Sequence, residues 1–391
     1  MRPPVFDPID RVTTAAKGHE ESSFAFFNRI GGEFWEAARE RIQDWADELP
    51  EHGYRDFRAA LRSGDDYQFN SAYLELYLHE SLRRAGYTIT VHPWTASGRK
   101  PDFYAAREDG AFYLEAIAPA PSPAQRAKAA RLAGLYNVVE RTGNANWWLW
   151  FEEIEEGDAS PPASKLKSAI RAWLATLDPA AHGDIHNRPR FEWASDGWAV
   201  ALTALPRPTS SRTRGTQRSI GVFPMAVGWV DDSSPIKRAL ARKHSAYGKL
   251  QEPLVIAVGG YNFDRDRWAT ANALWGHEAV QISVDDSNNN GTLIRKPDGY
   301  FGTPGAWRHD KVSAVLVVNQ LQPTHFPTAD VTLWLHPAPA RKLPVDVALP
   351  MDVIALVGDQ LVTTEPAIAP QQFFDLPEPW PPGAGFPRDA A

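Results

Sequence analysis

The spacing of apolar residues divides the chain into a short helical beginning and a longer part in which helices and strands alternate. Apolar side chains recur every three or four positions in the helical segments and every second position in the strands. The first predicted elements are, in order, helices over 32–48, 54–62 and 69–85 and strands over 87–94, 102–107 and 111–118. Gly86 would end the third helix, and the turn Glu108-Asp109-Gly110 would join the last two strands as a hairpin.

The same alternation continues through most of the remaining chain. The further predicted elements are helices over 124–141, 164–177, 235–247 and 266–275, strands over 146–151, 253–259, 279–284, 311–318 and 329–336, and a hairpin over 190–205. This order predicts an α/β (α+β) fold with a mixed central sheet flanked by helices. We expect four segments, which are an N-terminal helical segment (1–64), a core with an inserted basic loop (65–260), a strand-rich C-terminal part (261–370) and a Pro/Gly-rich tail (371–391) that Phe373, Phe374 and Trp380 can anchor.

Composition narrows the class of protein without identifying a function. The 391 residues suffice for two or three domains, and the absence of cysteine excludes disulfides, thiolate catalysis and cysteine-bound zinc. No apolar run is long enough to cross a membrane, and the first residues lack the apolar stretch of a signal peptide, so we expect a cytoplasmic protein. A net charge of −7 gives no global attraction for nucleic acid, although a basic contact surface can be local.

Three acidic residues lie at positions that are unusual for a charge. Glu75 lies in the third predicted helix, Asp102 begins the second strand, and Glu115 lies inside the apolar third strand. In an antiparallel hairpin with its turn at 108–110, Asp102 and Glu115 come near the same end of the strand pair. A charge in such a place is costly unless it is paired or binds a metal, and carboxylate oxygens are ligands that Mg²⁺ and Mn²⁺ prefer.

The order helix, three strands, helix, strand, together with Pro101-Asp102 and Glu115-Ala116-Ile117, resembles the PD-(D/E)XK (restriction-endonuclease-like) nuclease superfamily over about residues 69–153. The resemblance implies a phosphodiesterase that depends on Mg²⁺ or Mn²⁺ and acts on nucleic acid, DNA rather than RNA, in bacterial nucleic-acid processing or defence. It implies Asp102 and Glu115 as metal ligands, the Ala116 carbonyl as a further ligand, and Glu75 as a ligand or a water-orienting base. In that superfamily a metal-activated water attacks the phosphodiester.

The chain departs from the superfamily motif at its last position. The Lys expected two residues after Glu115 is Ile117, which can neither position water nor stabilise negative charge. Some members carry this Lys on the following helix, where Lys128 is the nearest candidate, and we therefore predict Lys128 as a catalytic residue. Other cations near the motif in the sequence are Lys100, Arg126 and Arg131.

A later segment carries a second, fainter likeness. Residues 243–258, with Lys243 and Tyr247 four positions apart before an apolar strand, resemble the later part of bacterial proteins that have such a nuclease-like core. On a helix both side chains could reach a phosphate. The simpler interpretation is a surface Lys beside a Tyr that packs on the strand.

A basic loop over 206–219 supplies the predicted nucleic-acid contacts. It contains no acidic residue, it is rich in Ser and Thr, and its arginines are Arg207, Arg212, Arg214 and Arg218. Forked guanidinium groups suit phosphates, but a solvated surface loop would look the same in the sequence. Trp94 and Trp307 are the tryptophans best placed in the sequence to contact a base.

Two alternatives compete with the nuclease interpretation. Without its motif Lys, the chain could be a catalytically impaired nuclease-like domain that binds nucleic acid or a protein partner. In a purely structural interpretation, Asp102 caps a hairpin, Glu115 pairs with an arginine and Glu75 is solvated. Clustered carboxylates with raised pKa values would favour the enzyme, and carboxylates dispersed into salt bridges would favour the binding domain. The sequence leaves a homodimer open and predicts no membrane partner.

Overall fold

The computed structural model describes residues 2–182, 188–209, 219–220, 233–244, 246–260, 267–281, 292–343, 346–357 and 360–386. The chain forms two compact units. The first unit holds residues 1–16, 22–120 and 230–391, and the second holds 17–21 and 121–229. Most of the second unit is therefore an insertion into the sequence of the first.

The helices of the described residues are α1 (Ser23–Arg29), α2 (Glu33–Asp47), α3 (Glu51–Leu61), α4 (Asp66–Arg84), α5 (Pro123–Glu140), α6 (Ala163–Ala175), α7 (Ser233–Lys243), α8 (Trp268–Trp275) and α9 (Pro370–Phe373). Side-chain caps begin α1, α4 and α5. The Asp65 carboxylate accepts hydrogen bonds from the first turn of α4, and Ser122 and Gln125 form a capping box at α5. Within the described part of the chain, none of these helices has both the length and the apolar character needed to cross a bilayer.

The strands of the described residues are β1 (Thr88–Val91), β2 (Phe103–Arg107), β3 (Gly110–Ile117), β4 (Trp147–Glu155), β5 (Arg190–Ser195), β6 (Trp198–Pro206), β7 (Leu254–Gly260), β8 (Glu278–Gln281), β9 (Thr292–Arg295), β10 (Gly302–Thr303), β11 (Ala306–Trp307), β12 (Ala314–Asn319), β13 (Asp330–Leu335), β14 (Asp352–Val357) and β15 (Gln360–Thr364). Eight of them form a mixed sheet in the first unit, in the order β1-β2-β3-β7-β12-β13-β14-β15. The strands β1, β2 and β3 are antiparallel, whereas β3, β7 and β12 run parallel to one another. The pairing of β3 with β7 joins parts of the sequence that lie on either side of the second unit.

The two faces of this sheet belong to separate apolar clusters. Leu114 packs in the first cluster together with Leu76 of α4. Ile117 and Ile256 pack in the second cluster together with Leu240 of α7. Because successive side chains of a strand point to opposite faces, the apolar strands β3 and β7 contribute to both clusters. The helix α4 thus packs on the face of the sheet that belongs to the first cluster, and α7 packs on the face that belongs to the second.

The second unit has its own sheet and its own apolar core. Its three strands lie in the order β4-β6-β5, and all pairs are antiparallel. Phe151 of β4 and Leu202 of β6 are fully buried with Leu135 of α5 and Leu166 of α6. This unit therefore forms a small α+β layer built from residues near one another in sequence.

The predicted fold class is confirmed, because the structure is a mixed α/β fold with a large mixed sheet and flanking helices. The compact units have other boundaries than the four predicted segments. The strand predicted over 146–151 is β4, which pairs with β6 in the second unit, and β7 occupies the place beside β3. Both strands are short and apolar, so their hydrophobic pattern does not distinguish which of them joins β3. Strands from 65–260 and 261–370 share one sheet.

The C-terminal segment packs against the first unit over the residues described, which end at 386. Phe374 is fully buried, and its ring centroid lies 5.5 Å from that of Trp45. The Trp35 indole Nε1 donates a hydrogen bond of 2.6 Å to the Gly385 carbonyl. Aromatic side chains therefore hold this proline-rich segment in place, because they bury more apolar surface than its polar residues can.

Candidate active site

The hairpin of β2 and β3 brings Asp102 and Glu115 together. Phe103 lies opposite Leu114 in the strand register, so continuing the register by one residue sets Asp102 opposite Glu115. The Asp102 carboxylate accepts a hydrogen bond of 2.7 Å from the Ala116 N–H. This bond fixes the orientation of the carboxylate at the mouth of the hairpin.

Glu75 and His92 complete a group of potential metal ligands with Asp102. One ligand atom from each of the three residues lies within 4.8 Å of the others. His92 follows β1 with a positive φ of 49°, and its N–H donates to the Asp102 carbonyl at 2.9 Å. Its imidazole Nε2 lies 3.9 Å from the Asp102 carboxylate. Side chains from α4, β1 and the start of β2 thus meet at one point.

Glu115 is held by two residues of the segment at the end of α7. The Lys243 ammonium donates to one oxygen of the Glu115 carboxylate, and the Tyr247 hydroxyl donates to the other. The Glu115 side chain is only 2% exposed. The helix α7 ends at Lys243, four residues before the predicted end at 247, and Tyr247 approaches from the following turn.

The pKa values of Glu75 and Asp102 are raised because several carboxylates lie close together in a buried place. Burial, and then the charge of Glu115, raise the pKa of Glu75 to about 7. Burial and the charges of Glu115 and Glu75 raise the pKa of Asp102 well above its ordinary value, although the hydrogen bond from Ala116 opposes this. Lys243 lowers both pKa values by its positive charge. Burial lowers the pKa of His92, which favours the neutral imidazole that can ligate a metal.

Glu80 on the same helix shows how this fold neutralises a buried glutamate that serves structure alone. Arg83 donates to its carboxylate at 2.8 and 3.0 Å, and Arg84 donates at 2.6 Å. Among the described residues, none forms a hydrogen bond or an ion pair with the Glu75 carboxylate. When ionised, the three carboxylates therefore exceed the one ammonium of Lys243 by two negative charges.

A cavity of about 160 Å³ lies beside Glu75 and His92. Its polar lining also includes Asp56, Gln68 and Ser71, and its remaining walls are mostly apolar side chains of α3, α4 and β2. A water occupies about 30 Å³ in the liquid, so the cavity has room for a cation with several waters. A larger cavity, about 760 Å³, is lined mainly by apolar residues of β13, β14 and the segments around them, and none of these carboxylates lines it.

The raised pKa of Glu75 makes the stability of the metal-free protein depend on pH. Between about pH 4.5 and 7 the folded protein keeps a proton on Glu75 that the unfolded chain releases, so its free energy of unfolding falls as the pH rises. The full shift corresponds to about 3 kcal/mol. We expect metal-free Glu75→Gln to be more stable than the wild type by about 1–3 kcal/mol at pH 8 and by much less at pH 4.5.

Urea denaturation in EDTA at the two pH values measures this difference. Glu40→Gln, at an exposed position of α2, gives the baseline for the substitution itself. A Glu75→Gln protein that is less stable than the wild type at pH 8 would show that the Glu75 carboxylate is favourably paired in the metal-free protein.

Of the remaining predicted site residues, the structure describes Lys128 and Arg207. Lys128 belongs to the second unit, where its ammonium lies 3.5 Å from the Glu156 carboxylate. Arg207 is only 2% exposed and donates to the Trp147 carbonyl at 3.1 Å, so it packs inside that unit and does not stand on an exposed loop. The predicted contacts Arg212, Arg214 and Arg218 lie outside the described residues. Ile117, at the motif position of the Lys, is a core residue of the second apolar cluster.

Sequence reasoning missed His92, and it did not predict that Lys243 and Tyr247 contact Glu115. His92 carries no sequence signal beyond its place between a predicted strand and Asp102. Lys243 and Tyr247 had a usable signal, since they lie four positions apart before the apolar strand β7. The simpler interpretation is confirmed for the packing of Tyr247, which lies in the second apolar cluster with residues of β7, but it did not include the contacts of both side chains with Glu115.

The chain was also compared with known proteins. Searches against protein-family models, curated proteins and solved structures gave no match. The resemblance to the PD-(D/E)XK superfamily accordingly stays a prediction from the sequence motif.

Proposed function

We propose that this protein is a metal-dependent nuclease that hydrolyses phosphodiester bonds, with DNA as the favoured substrate. The observation that carries the proposal is the buried cluster of Glu75, Asp102 and Glu115 with the Lys243 ammonium on Glu115. The cluster holds several carboxylates of like charge in a buried place, where ionising them costs free energy. Such an arrangement is typical of a site that binds a cation. It also gathers the residue types of the PD-(D/E)XK motif, with its Lys coming from α7.

The donor set fits a hard divalent cation. Asp102, Glu75 and His92 would hold it, because their ligand atoms lie close enough to share one ion. Glu115 can add a further oxygen, since a carboxylate offers about four lone-pair sites and the bonds from Lys243 and Tyr247 use two. Two surplus negative charges match a divalent ion, and the oxygen-rich set suits Mg²⁺ and Mn²⁺. When bound, the cation would supply Lewis-acid stabilisation of the charge that develops on the phosphate oxygens.

The protein's own residues would orient the reactants and balance the charge. In the hydrolysis, a water oxygen bonds to phosphorus, the ester P–O bond breaks, and the leaving oxygen takes up a proton. Lys243 would place its ammonium against the phosphate oxygens where negative charge develops, while the Tyr247 hydroxyl keeps Glu115 in its orientation. Asp102 is held by the Ala116 N–H and needs no rearrangement.

The alternative of a catalytically impaired binding domain drew its support from Ile117. An ammonium at the same carboxylate weakens that reasoning, because Lys243 can supply the positive charge that Ile117 cannot. The enzyme is therefore the function we favour.

A cleavage assay tests the proposal. The full chain is incubated with single- and double-stranded DNA and with RNA, in Mg²⁺, Mn²⁺ or EDTA. We expect cleavage in at least one of the two metals and none in EDTA. If no substrate is cleaved in either metal, the proposal is overturned and the binding domain becomes the better interpretation.

A further inference from the structure

The loop between β1 and β2 carries an unusually exposed aromatic side chain. Trp94 is 72% exposed, the most of any tryptophan in the described part of the chain. The Lys100 ammonium lies 4.1 Å from the centroid of its ring. The side chain is not folded into the core, and exposing an indole to water costs free energy, so the ring face opposite Lys100 is available to a ligand.

The loop is pre-formed by its own hydrogen bonds. The Thr95 N–H and its hydroxyl both donate to the Arg99 carbonyl, at 3.0 and 2.6 Å, and the Gly98 N–H donates to the Thr95 carbonyl at 3.0 Å. Gly98 has a φ of 72°, a left-handed conformation that a tight turn needs and that favours glycine. A pre-formed loop binds with little loss of conformational entropy.

The loop also adjoins the candidate active site. It connects His92 directly to Asp102, and its Ser97 side chain would lie 3.6 Å from a Cβ placed on Gly248, next to Tyr247. Between residues 93 and 101 there are two basic residues, Arg99 and Lys100, and no acidic one. The segment is thus positively charged immediately beside a cluster of carboxylates.

We propose that this loop, with Trp94 as a stacking platform and Arg99 and Lys100 as phosphate contacts, holds an unpaired nucleotide strand next to the active site. The proposal rests on the proposed nuclease function and specifies its substrate class as single-stranded nucleic acid. Bases in a duplex already stack on both faces, so a lone exposed indole can stack only on an unpaired or terminal base. Within the loop, residues 93–101 include no other large apolar side chain, so the loop itself offers a protein partner no apolar patch beyond the indole.

Fluorescence anisotropy in EDTA tests binding without cleavage. The probes are end-labelled oligo-dT and oligo-U of fifteen nucleotides and a DNA duplex of the same length. We expect the single strands to bind at least about tenfold more tightly than the duplex, and Trp94→Ala to weaken single-strand binding by about tenfold or more. Trp94→Phe should recover part of the loss. Similar affinity for oligo-dT and oligo-U would mean that the loop binds single-stranded DNA and RNA alike. A preference for one of them would identify which of the two is the natural ligand.

Matched variants separate stacking from unfolding and from charge. Trp268→Ala, at a tryptophan that is 47% exposed on α8, should leave single-strand binding unchanged. Arg99→Gln and Lys100→Gln should each reduce the log–log salt slope of binding by about 0.7. Melting curves check that each variant is folded.

Two results would overturn the proposal: Trp94→Ala binding within twofold of the wild type, or a duplex that binds as tightly as the single strands. Either result would leave the nuclease proposal intact if metal-dependent cleavage is still seen. Conversely, loss of single-strand binding in Trp94→Ala without any cleavage by the wild type would support the strand site and overturn the catalytic proposal.

Discussion

Replacing Asp102 with asparagine is expected to abolish metal-dependent cleavage. Asparagine keeps an oxygen that can accept from the Ala116 N–H, but it removes the charge that the cation needs. The loss of several kcal/mol of Lewis-acid stabilisation corresponds to a fall of about a thousandfold or more in rate. Cleavage rates in Mg²⁺ and Mn²⁺, measured for the wild type and the variant, check this.

The same variant should lose its stabilisation by metal. At a Mn²⁺ concentration one hundred times the Kd, binding adds about 3 kcal/mol to the free energy of unfolding of the wild type, and the variant should gain little of it. Asp109→Asn is the control, because Asp109 lies in the turn of the same hairpin with its side chain 53% exposed and paired with Arg107. Equal stabilisation of wild type and Asp102→Asn by Mn²⁺ would refute Asp102 as a ligand.

Replacing Lys243 with methionine is expected to reduce kcat by about 100- to 1,000-fold and to change KM much less. Methionine has a similar length and no charge, so the variant removes the ammonium from the Glu115 carboxylate with little change in volume. The reason for the split between kcat and KM is that a charge acting on developing phosphate charge is used mainly in the transition state. Steady-state rates on an oligonucleotide substrate measure both constants.

Two further variants make this result specific. Arg242→Met removes an exposed cation from the neighbouring position of α7 and should retain activity. Lys128→Met tests the residue that the sequence favoured, which in the structure pairs with Glu156. Lost activity in Lys128→Met together with full activity in Lys243→Met would contradict the role given to Lys243. Lys243→Met leaves Glu115 without its ammonium, so melting curves check that this variant is folded. Lys243→Arg, which keeps the charge, is the comparison for the loss of the ammonium.

The carboxylates of the site could be predicted because they occupy positions where the hydrophobic pattern of the sequence calls for an apolar residue. A glutamate inside the apolar strand β3 and an aspartate at the start of β2 conflict with burial, and a two-stranded hairpin is local enough for its register to follow from its turn. Glu75 was found in the same way on α4. These contacts depend on residues close in sequence, where the spacing of the chain itself limits the geometry.

Lys243 could not be predicted with the same ease because it reaches the site through a long-range strand pairing. The strand that follows the helix predicted over 124–141 is β4, and the hydrophobic pattern offers no reason to prefer β7 as the neighbour of β3. Both contain an apolar run, and their core residues pack with different helices, β7 with α7 and β4 with α5 and α6. His92 was missed since its contribution depends on a left-handed backbone conformation, which histidine adopts only when surrounding structure imposes it.

The interrupted sequence of the first unit has a consequence for synthesis on the ribosome. Residues 75, 92, 102 and 115 emerge first, the second unit follows, and only then does the segment with Lys243 and β7 emerge to pair with β3. A nascent chain that ends within the second unit carries the carboxylates without their ammonium and without the central strand of their sheet. The carboxylate cluster can therefore gain its ammonium only after the whole second unit has been synthesised, while residues 261–391 are still to follow.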